Sequence, residues 1–130
     1  MNMWLTLFVT LGLFTNPQQD YKTIDYVIAF YRIDNQVDII VNDSLVYTTG
    51  VIDHNPDFKG EFTYYIGNHL TDQEDQVTVR LYNGRPPYDI KDKHWEIEYV
   101  LKKNGKEFDY MWDEGDNNEV GLVFEEKYLL

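Results

Sequence analysis

Hydrophobic and polar residues alternate along most of this chain with a period of two. In the segment 61–66 the apolar side chains share one side of an extended chain, and segment 76–83 repeats this pattern. The residues concerned are Phe62, Tyr64 and Ile66 in the first segment, and Val77, Val79 and Leu81 in the second. A period of two is typical of half-buried β-strands, and no segment sustains the period of 3.6 that indicates a helix.

Turn-forming residues divide the chain into short extended segments. Clusters of Asn, Asp, Gly and Pro recur at intervals of about 8 to 12 residues, which is typical of antiparallel sandwiches. The predicted strands are 24–33, 37–41, 45–52, 61–66, 76–83, 94–103, 106–112 and 120–130. We therefore expect an all-β protein, an antiparallel β-sandwich or jelly roll of about eight strands, formed by one domain over residues 17–130.

The dipeptide Asn104-Gly105 is the strongest local signal. It favours a two-residue type I′ turn, because both of its residues tolerate positive φ. That turn places Lys102 opposite Glu107 on one face. On the other face the regular register places Leu101 opposite Phe108, and we expect these two side chains to touch in the core.

The first 16 residues differ from the rest of the chain. Met3 to Phe14 is nearly all apolar and uncharged, but this run is shorter than the roughly 20 residues of a membrane-spanning helix. Its length suits the apolar region of a signal peptide, so we expect export to a secreted, periplasmic or cell-surface location. No Lys or Arg precedes the run and no A-x-A-like cleavage site follows it, which keeps a buried N-terminal strand open as the alternative.

Composition excludes several classes of function. The chain of 130 residues contains no cysteine, so disulfides and thiolate chemistry are excluded. The formal net charge is −12 and the pI about 4.4. A nucleic-acid-binding protein needs a basic surface to replace the counterions of phosphates, and no basic cluster is visible, so we set that class aside.

Acidic loops fall at every second connection between the predicted strands. If each strand runs opposite to the one before it, these loops meet at one end of the molecule. Ca²⁺ prefers six to eight oxygen ligands, which such loops supply. The predicted metal ligands are Asp34, Asp53, Asp57, Asp113, Asp116 and Asn118. The alternative is that these are ordinary turn residues.

Four further residues at the same end are candidates for ligand binding. Arg85 and Tyr88 flank Pro86-Pro87, and a stiff loop that carries Arg and Tyr suits recognition. The alternative is a surface loop whose cations neutralise nearby carboxylates. His54 and His94 could bind zinc together with Asp53 or Asp57, but the chain has no H-x-x-H spacing.

The sequence favours binding over catalysis. Tyr31, Tyr65 and Tyr82 lie opposite the more apolar faces of their strands, where they could form a platform for a sugar. No nucleophile motif and no glycine-rich phosphate loop is present. We expect a non-catalytic extracytoplasmic module that recognises a glycan or a protein surface through loops at one end, with Ca²⁺ as the candidate cofactor. The alternatives are an assembly subunit that pairs through edge strands and, third, a small hydrolase that uses carboxylates.

Overall fold

The computed structural model describes residues 25–52, 62–71, 73–88 and 93–130. Eight β-strands occupy these ranges, with a short 3-10 turn at Gly67–His69. The strands are β1 (Tyr26–Asp34), β2 (Gln36–Val41), β3 (Ser44–Thr48), β4 (Phe62–Tyr65), β5 (Gln76–Asn83), β6 (Trp95–Lys103), β7 (Lys106–Gly115) and β8 (Gly121–Leu129). Each corresponds to one predicted segment, so the alternation of apolar residues was a sound guide to the strands.

The strands form two four-stranded sheets that pack face to face. One sheet has the order β4–β1–β6–β7 and the other the order β3–β2–β5–β8, and all neighbouring strands are antiparallel. The chain changes sheets directly after β1, at Asn35. This arrangement confirms the predicted β-sandwich.

Large side chains from both sheets fill the space between them. Tyr99 of β6 is fully buried, and its ring lies 5.6 Å from that of Phe30 and 6.4 Å from that of Phe124. At the opposite edge, the ring of Tyr47 in β3 stacks on that of Tyr64 in β4 at 4.4 Å. Aromatic contacts therefore join the two sheets near both edges of the sandwich.

Two hairpin turns, one of them the predicted Asn104-Gly105 turn, have the backbone of a type I′ turn. Asn42 and Asp43 join β2 to β3 with φ values of 48° and 66°. Asn104 and Gly105 join β6 to β7 with φ values of 51° and 77°. Positive φ at both central residues matches the right-handed twist of the strands, which is why asparagine, aspartate and glycine occupy these positions.

The predicted contact between Leu101 and Phe108 is wrong. Lys102 pairs with Glu107 as expected, but a β-bulge follows, and Leu101 pairs with Asp109. Phe108 is the extra residue of this bulge and is 51% exposed, whereas Leu101 is buried. Because one added residue reverses the faces of all later side chains, Met111 turns toward the core, and Tyr110 and Trp112 turn to solvent.

The first 24 residues lie outside the described part of the chain. The predicted signal peptide at residues 1–16, and its alternative as a buried strand, therefore stay predictions. Within the described residues, no helix has the length and apolar character needed to cross a membrane.

Candidate functional site

The side of sheet β4–β1–β6–β7 that faces away from the other sheet, which we call the outer face, carries an ordered set of side chains. Strand pairing aligns Arg32, Glu98 and Trp112 in one row across β1, β6 and β7. The row toward the Asn104-Gly105 turn is apolar, and the row on the other side is acidic. The apolar row consists of Ala29, Val100 and Tyr110, and the acidic row of Asp34, Glu96 and Glu114. The outer face therefore changes from apolar to acidic along the strands.

Two aromatic side chains of the outer face are half exposed. Tyr110 is 50% and Trp112 is 51% exposed, and they are two residues apart on β7. Tyr65 lies on β4 at the other edge of the same sheet and is 38% exposed. Large aromatic rings that stay in contact with water are common at binding surfaces, because they supply apolar area together with a polar group.

Arg32 forms the polar centre of the outer face. Its Nη1 lies 2.8 Å from Oε1 of Glu96, and its Nε lies 3.5 Å from Oε2 of Glu98. The indole Nε1 of Trp112 also donates to Oε1 of Glu96, at 3.2 Å. A β-bulge at Tyr31 in β1 brings Arg32 opposite Glu98.

Glu96 is a buried carboxylate that these contacts keep ionised. Its residue is only 5% exposed. Burial by itself raises the pKa of Glu96, but hydrogen bonds from Arg32, Trp112 and His94 outweigh it and hold the pKa below its ordinary value. The outer face therefore has a fixed negative charge beneath its aromatic side chains.

His94 joins the outer face to the loop after β7. Its Nδ1 lies 2.6 Å from Oδ1 of Asp116, and its Nε2 lies 3.4 Å from Oε2 of Glu96. The hydrogen bond with Asp116 raises the pKa of His94; partial burial opposes this, and Glu96 and Asp34 add to it. His94, Glu96 and Glu114 each place a ligand atom within 4.8 Å of the others. Among the described residues, this is the one group of three metal-ligating side chains of the His, Cys, Asp and Glu type.

The predicted calcium ligands divide into four sets. Asp34 and Asp116 both act on His94, so these two lie at the same end of the sandwich. Asp113 is part of β7 rather than of a loop, because the strand continues to Gly115, and it lies on the side of β7 opposite to Trp112. Asn118 is exposed in the following loop, with φ of 58°. Asp53 and Asp57 lie outside the described residues, as does the candidate ligand-binding residue His54.

The loop that carries Arg85 and Tyr88 lies next to the other sheet, β3–β2–β5–β8. Arg85 is exposed, and the ring of Tyr88 stacks on that of Tyr82 at 6.1 Å, on the solvent side of β5. Burial raises the pKa of Tyr88, with contributions from Tyr82 and from Asp38 of β2. The same side contains a shallow groove of about 320 Å³, lined by Asp38, Ile40, Asp43, Leu45 and Arg80. Tyr88 thus packs against the solvent side of β5 in one sheet, whereas His94 precedes β6 in the other.

Glu96 and Trp112 were missed by sequence reasoning. The regular register that pairs Leu101 with Phe108 would also pair Ile97 with Trp112 and turn Trp112 toward the core, because that register contains no bulge at Phe108. A signal for Glu96 was present, since Glu96 and Glu98 alternate with apolar residues and must share one face of β6. The sequence contains no signal that Arg32, 64 residues earlier in the chain, pairs with these two glutamates.

Comparison of this chain with protein-family models, with curated proteins and with solved structures found no match.

Proposed function

We propose that this chain is a non-catalytic module that binds a neutral glycan on its outer face. The observation that carries this proposal is the row Arg32–Glu98–Trp112, with half-exposed Tyr110 in the adjacent row. Aromatic rings would stack on the sugar, and the charged side chains would form hydrogen bonds with its hydroxyl groups. This proposed platform uses Tyr110 and Trp112, whereas the sequence suggested Tyr31, Tyr65 and Tyr82.

The two rings suit a ligand longer than one sugar. Residues two apart on a strand present side chains on the same face about 7 Å apart. The C–H groups on the face of a pyranose ring pack against an aromatic face, and Trp provides the largest such face. Tyr110 and Trp112 would therefore contact neighbouring sugar units along β7.

The polar groups beside the rings are already positioned. Arg32 is half exposed at its side chain, and its contacts with Glu96 and Glu98 restrict its movement. A preorganised group loses less conformational entropy when a ligand binds. The guanidinium fork donates and a carboxylate accepts, so together they can hydrogen-bond to vicinal hydroxyl groups.

Electrostatics favours an uncharged ligand. The acidic row, Glu98 and a net charge of −12 all repel an anionic polysaccharide. An extracytoplasmic location belongs to the same proposal and rests on the apolar segment Met3 to Phe14. Dependence on Ca²⁺ stays a prediction of the acidic loops, and adding EDTA to the binding assay tests it.

The proposal is tested on an array of neutral and acidic polysaccharides probed with the full chain, followed by calorimetry with the best oligosaccharide. We expect binding to neutral glycans, weakened roughly 10- to 100-fold by Trp112→Ala and Tyr110→Ala, because stacking and ring burial each contribute more than about 1 kcal/mol. Leu122→Ala is the matched control, since Leu122 is also 50% exposed but lies on β8 of the other sheet.

Two results would contradict the assignment. Loss of binding in Tyr88→Ala, with binding intact in Trp112→Ala, would move the site to the loop of Arg85 and Tyr88. If no glycan on the array binds, the proposal that the ligand is a glycan is wrong, and a protein surface becomes the ligand proposed for the outer face.

A second function is favoured by one observation, the exposed edge of β7. This strand has ten residues and is outermost in its sheet, so it could pair with a strand of another chain. Its charged residues oppose this, since charges on edge strands prevent such pairing. Sedimentation velocity separates the two functions: a monomer at about 100 μM argues against an assembly subunit, because edge pairing is driven by mass action.

A further inference from the structure

We propose that His94, Glu96 and Glu114 form a binding site for one zinc ion at the acidic end of the outer face. The proposal rests on the geometry of these three side chains and of the groups that orient them. It does not depend on the proposed glycan-binding function.

The orientation of His94 is the first argument. Its Nδ1 lies 2.6 Å from a carboxylate oxygen of Asp116, and an ionised carboxylate can only accept, so Nδ1 carries a proton. In neutral imidazole the other nitrogen, Nε2, then has a lone pair, and this lone pair faces Oε2 of Glu96. Between these two atoms lies either a proton, with which His94 bridges Asp116 and Glu96, or a metal ion that replaces this proton.

The separation of these two atoms is the second argument. Nε2 of His94 and Oε2 of Glu96 are 3.4 Å apart. A charge-assisted hydrogen bond between nitrogen and a carboxylate is shorter, about 2.7 to 2.9 Å. Zinc binds nitrogen and oxygen at about 2.0 to 2.2 Å in tetrahedral geometry, which separates two ligand atoms by roughly 3.4 Å. Glu114 provides a third ligand atom within 4.8 Å of both.

Groups around the three ligands hold them in place. Asp116 bonds to the nitrogen of His94 that faces away from the site, as carboxylates commonly do for zinc-bound histidines. Arg32 and Trp112 both bond to Oε1 of Glu96, which leaves Oε2 for the metal. Glu96 is also buried, so its position is fixed by packing as well as by hydrogen bonds.

Ligand chemistry selects the type of ion. An imidazole nitrogen suits Zn²⁺ and other late transition metals, whereas Ca²⁺ and Mg²⁺ prefer oxygen alone. The carboxylates of Asp34, Glu96, Glu114 and Asp116 lie around this position, and Arg32 contacts Glu96. A divalent cation would reduce the repulsion between these carboxylates.

The test is calorimetric titration of the metal-stripped full chain with ZnCl₂ at pH 7, with a parallel titration with CaCl₂. We expect one zinc ion per chain, and calcium binding at least roughly 100-fold weaker, from the preference of each ion for its ligands. His94→Gln and Glu114→Gln should weaken zinc binding by roughly 100-fold or more, and Asp116→Asn by roughly 10- to 100-fold. His54→Gln, His69→Gln and Glu98→Gln are the controls and should bind zinc like the unmodified chain.

A spectroscopic measurement keeps the proposal testable if a variant fails to fold. X-ray absorption at the zinc edge of the unmodified complex should show one imidazole among nitrogen and oxygen ligands. Two imidazoles in that spectrum, or loss of binding in His54→Gln or His69→Gln, would overturn the assignment. The absence of saturable zinc binding would show that Nε2 of His94 is protonated and that His94 simply bridges Asp116 and Glu96.

Discussion

The indole Nε1 of Trp112 donates a hydrogen bond to Oε1 of Glu96 at 3.2 Å, although Trp112 lies directly opposite Glu98 and not Glu96. This diagonal contact connects the aromatic part of the outer face to its acidic end. The indole N–H also stabilises the buried carboxylate of Glu96, which Arg32 contacts from β1.

Replacing Trp112 by Phe should therefore cost stability as well as ring area. We expect a loss of roughly 1 kcal/mol in the free energy of unfolding, because a hydrogen bond to a charged acceptor is removed. Urea denaturation measures it, and Tyr110→Phe is the control, with an expected change within about 0.5 kcal/mol for an exposed position. Equal stability of both variants would show that the indole hydrogen bond contributes nothing.

The bulge at Phe108 is tested by two alanine variants. Leu101→Ala should destabilise the fold by about 2 to 5 kcal/mol, because Leu101 is 1% exposed and its removal leaves a cavity. Phe108→Ala should cost less than about 1 kcal/mol, because its ring is half exposed. Similarly large losses of stability in both variants would support the regular register, in which the two side chains share the core.

The hydroxyl groups of Tyr99 and Tyr128 form a hydrogen bond of 2.6 Å across the sandwich. Tyr128 also interacts with Asp109, whereas Tyr99 is fully buried. Tyr128→Phe should therefore cost about 1 to 3 kcal/mol, since it leaves a buried hydroxyl without its partner. Tyr99→Phe should cost less, because Tyr128 keeps Asp109.

The double variant completes this experiment. Its loss of stability should be smaller than the sum of the two single losses, since both remove the same bond. Burial raises the pKa of both hydroxyl groups above the ordinary value for tyrosine. Alkaline titration followed by phenolate absorbance should show that these two ionise only when the protein unfolds, and ionisation together with the exposed tyrosines would contradict the buried pair.

Asp75 should make the stability of the fold depend on acid pH. Burial opposes its ionisation, but hydrogen bonds from Asn42 and Thr71 outweigh this and lower the pKa of Asp75. A folded pKa below the unfolded value of about 4 means that the stabilisation is complete above pH 4 and is lost as pH falls through the folded pKa.

Asp75→Asn tests this dependence. The variant should be less stable at pH 7 by roughly 1 to 3 kcal/mol, because it replaces a buried acceptor of several hydrogen bonds. Between pH 5 and pH 2 its free energy of unfolding should also change less than that of the unmodified chain, as measured by urea denaturation at several pH values. Asp43→Asn is the control at an exposed turn position, and a pH profile of Asp75→Asn identical to that of the unmodified chain would refute the role of Asp75.

Much of the fold could be predicted from the sequence because it depends on local signals. Period-two alternation and turn-forming residues located the eight strands of the described ranges, and the dipeptides Asn42-Asp43 and Asn104-Gly105 form two tight turns. Alternation also identified Phe62, Tyr64, Val77 and Val79 as inward-facing. Each of these features depends on residues that are close together in the chain.

The candidate site was decided by tertiary structure. Bulges at Tyr31 and Phe108 add one residue to β1 and β7, which brings Arg32, Glu98 and Trp112 into one row. A bulge has no strict sequence signature, and it reverses the side of the sheet on which every later residue of the strand lies. The chain alone therefore determined which segments become strands, whereas strand order and register determined which side chains meet, because those contacts join residues far apart in sequence.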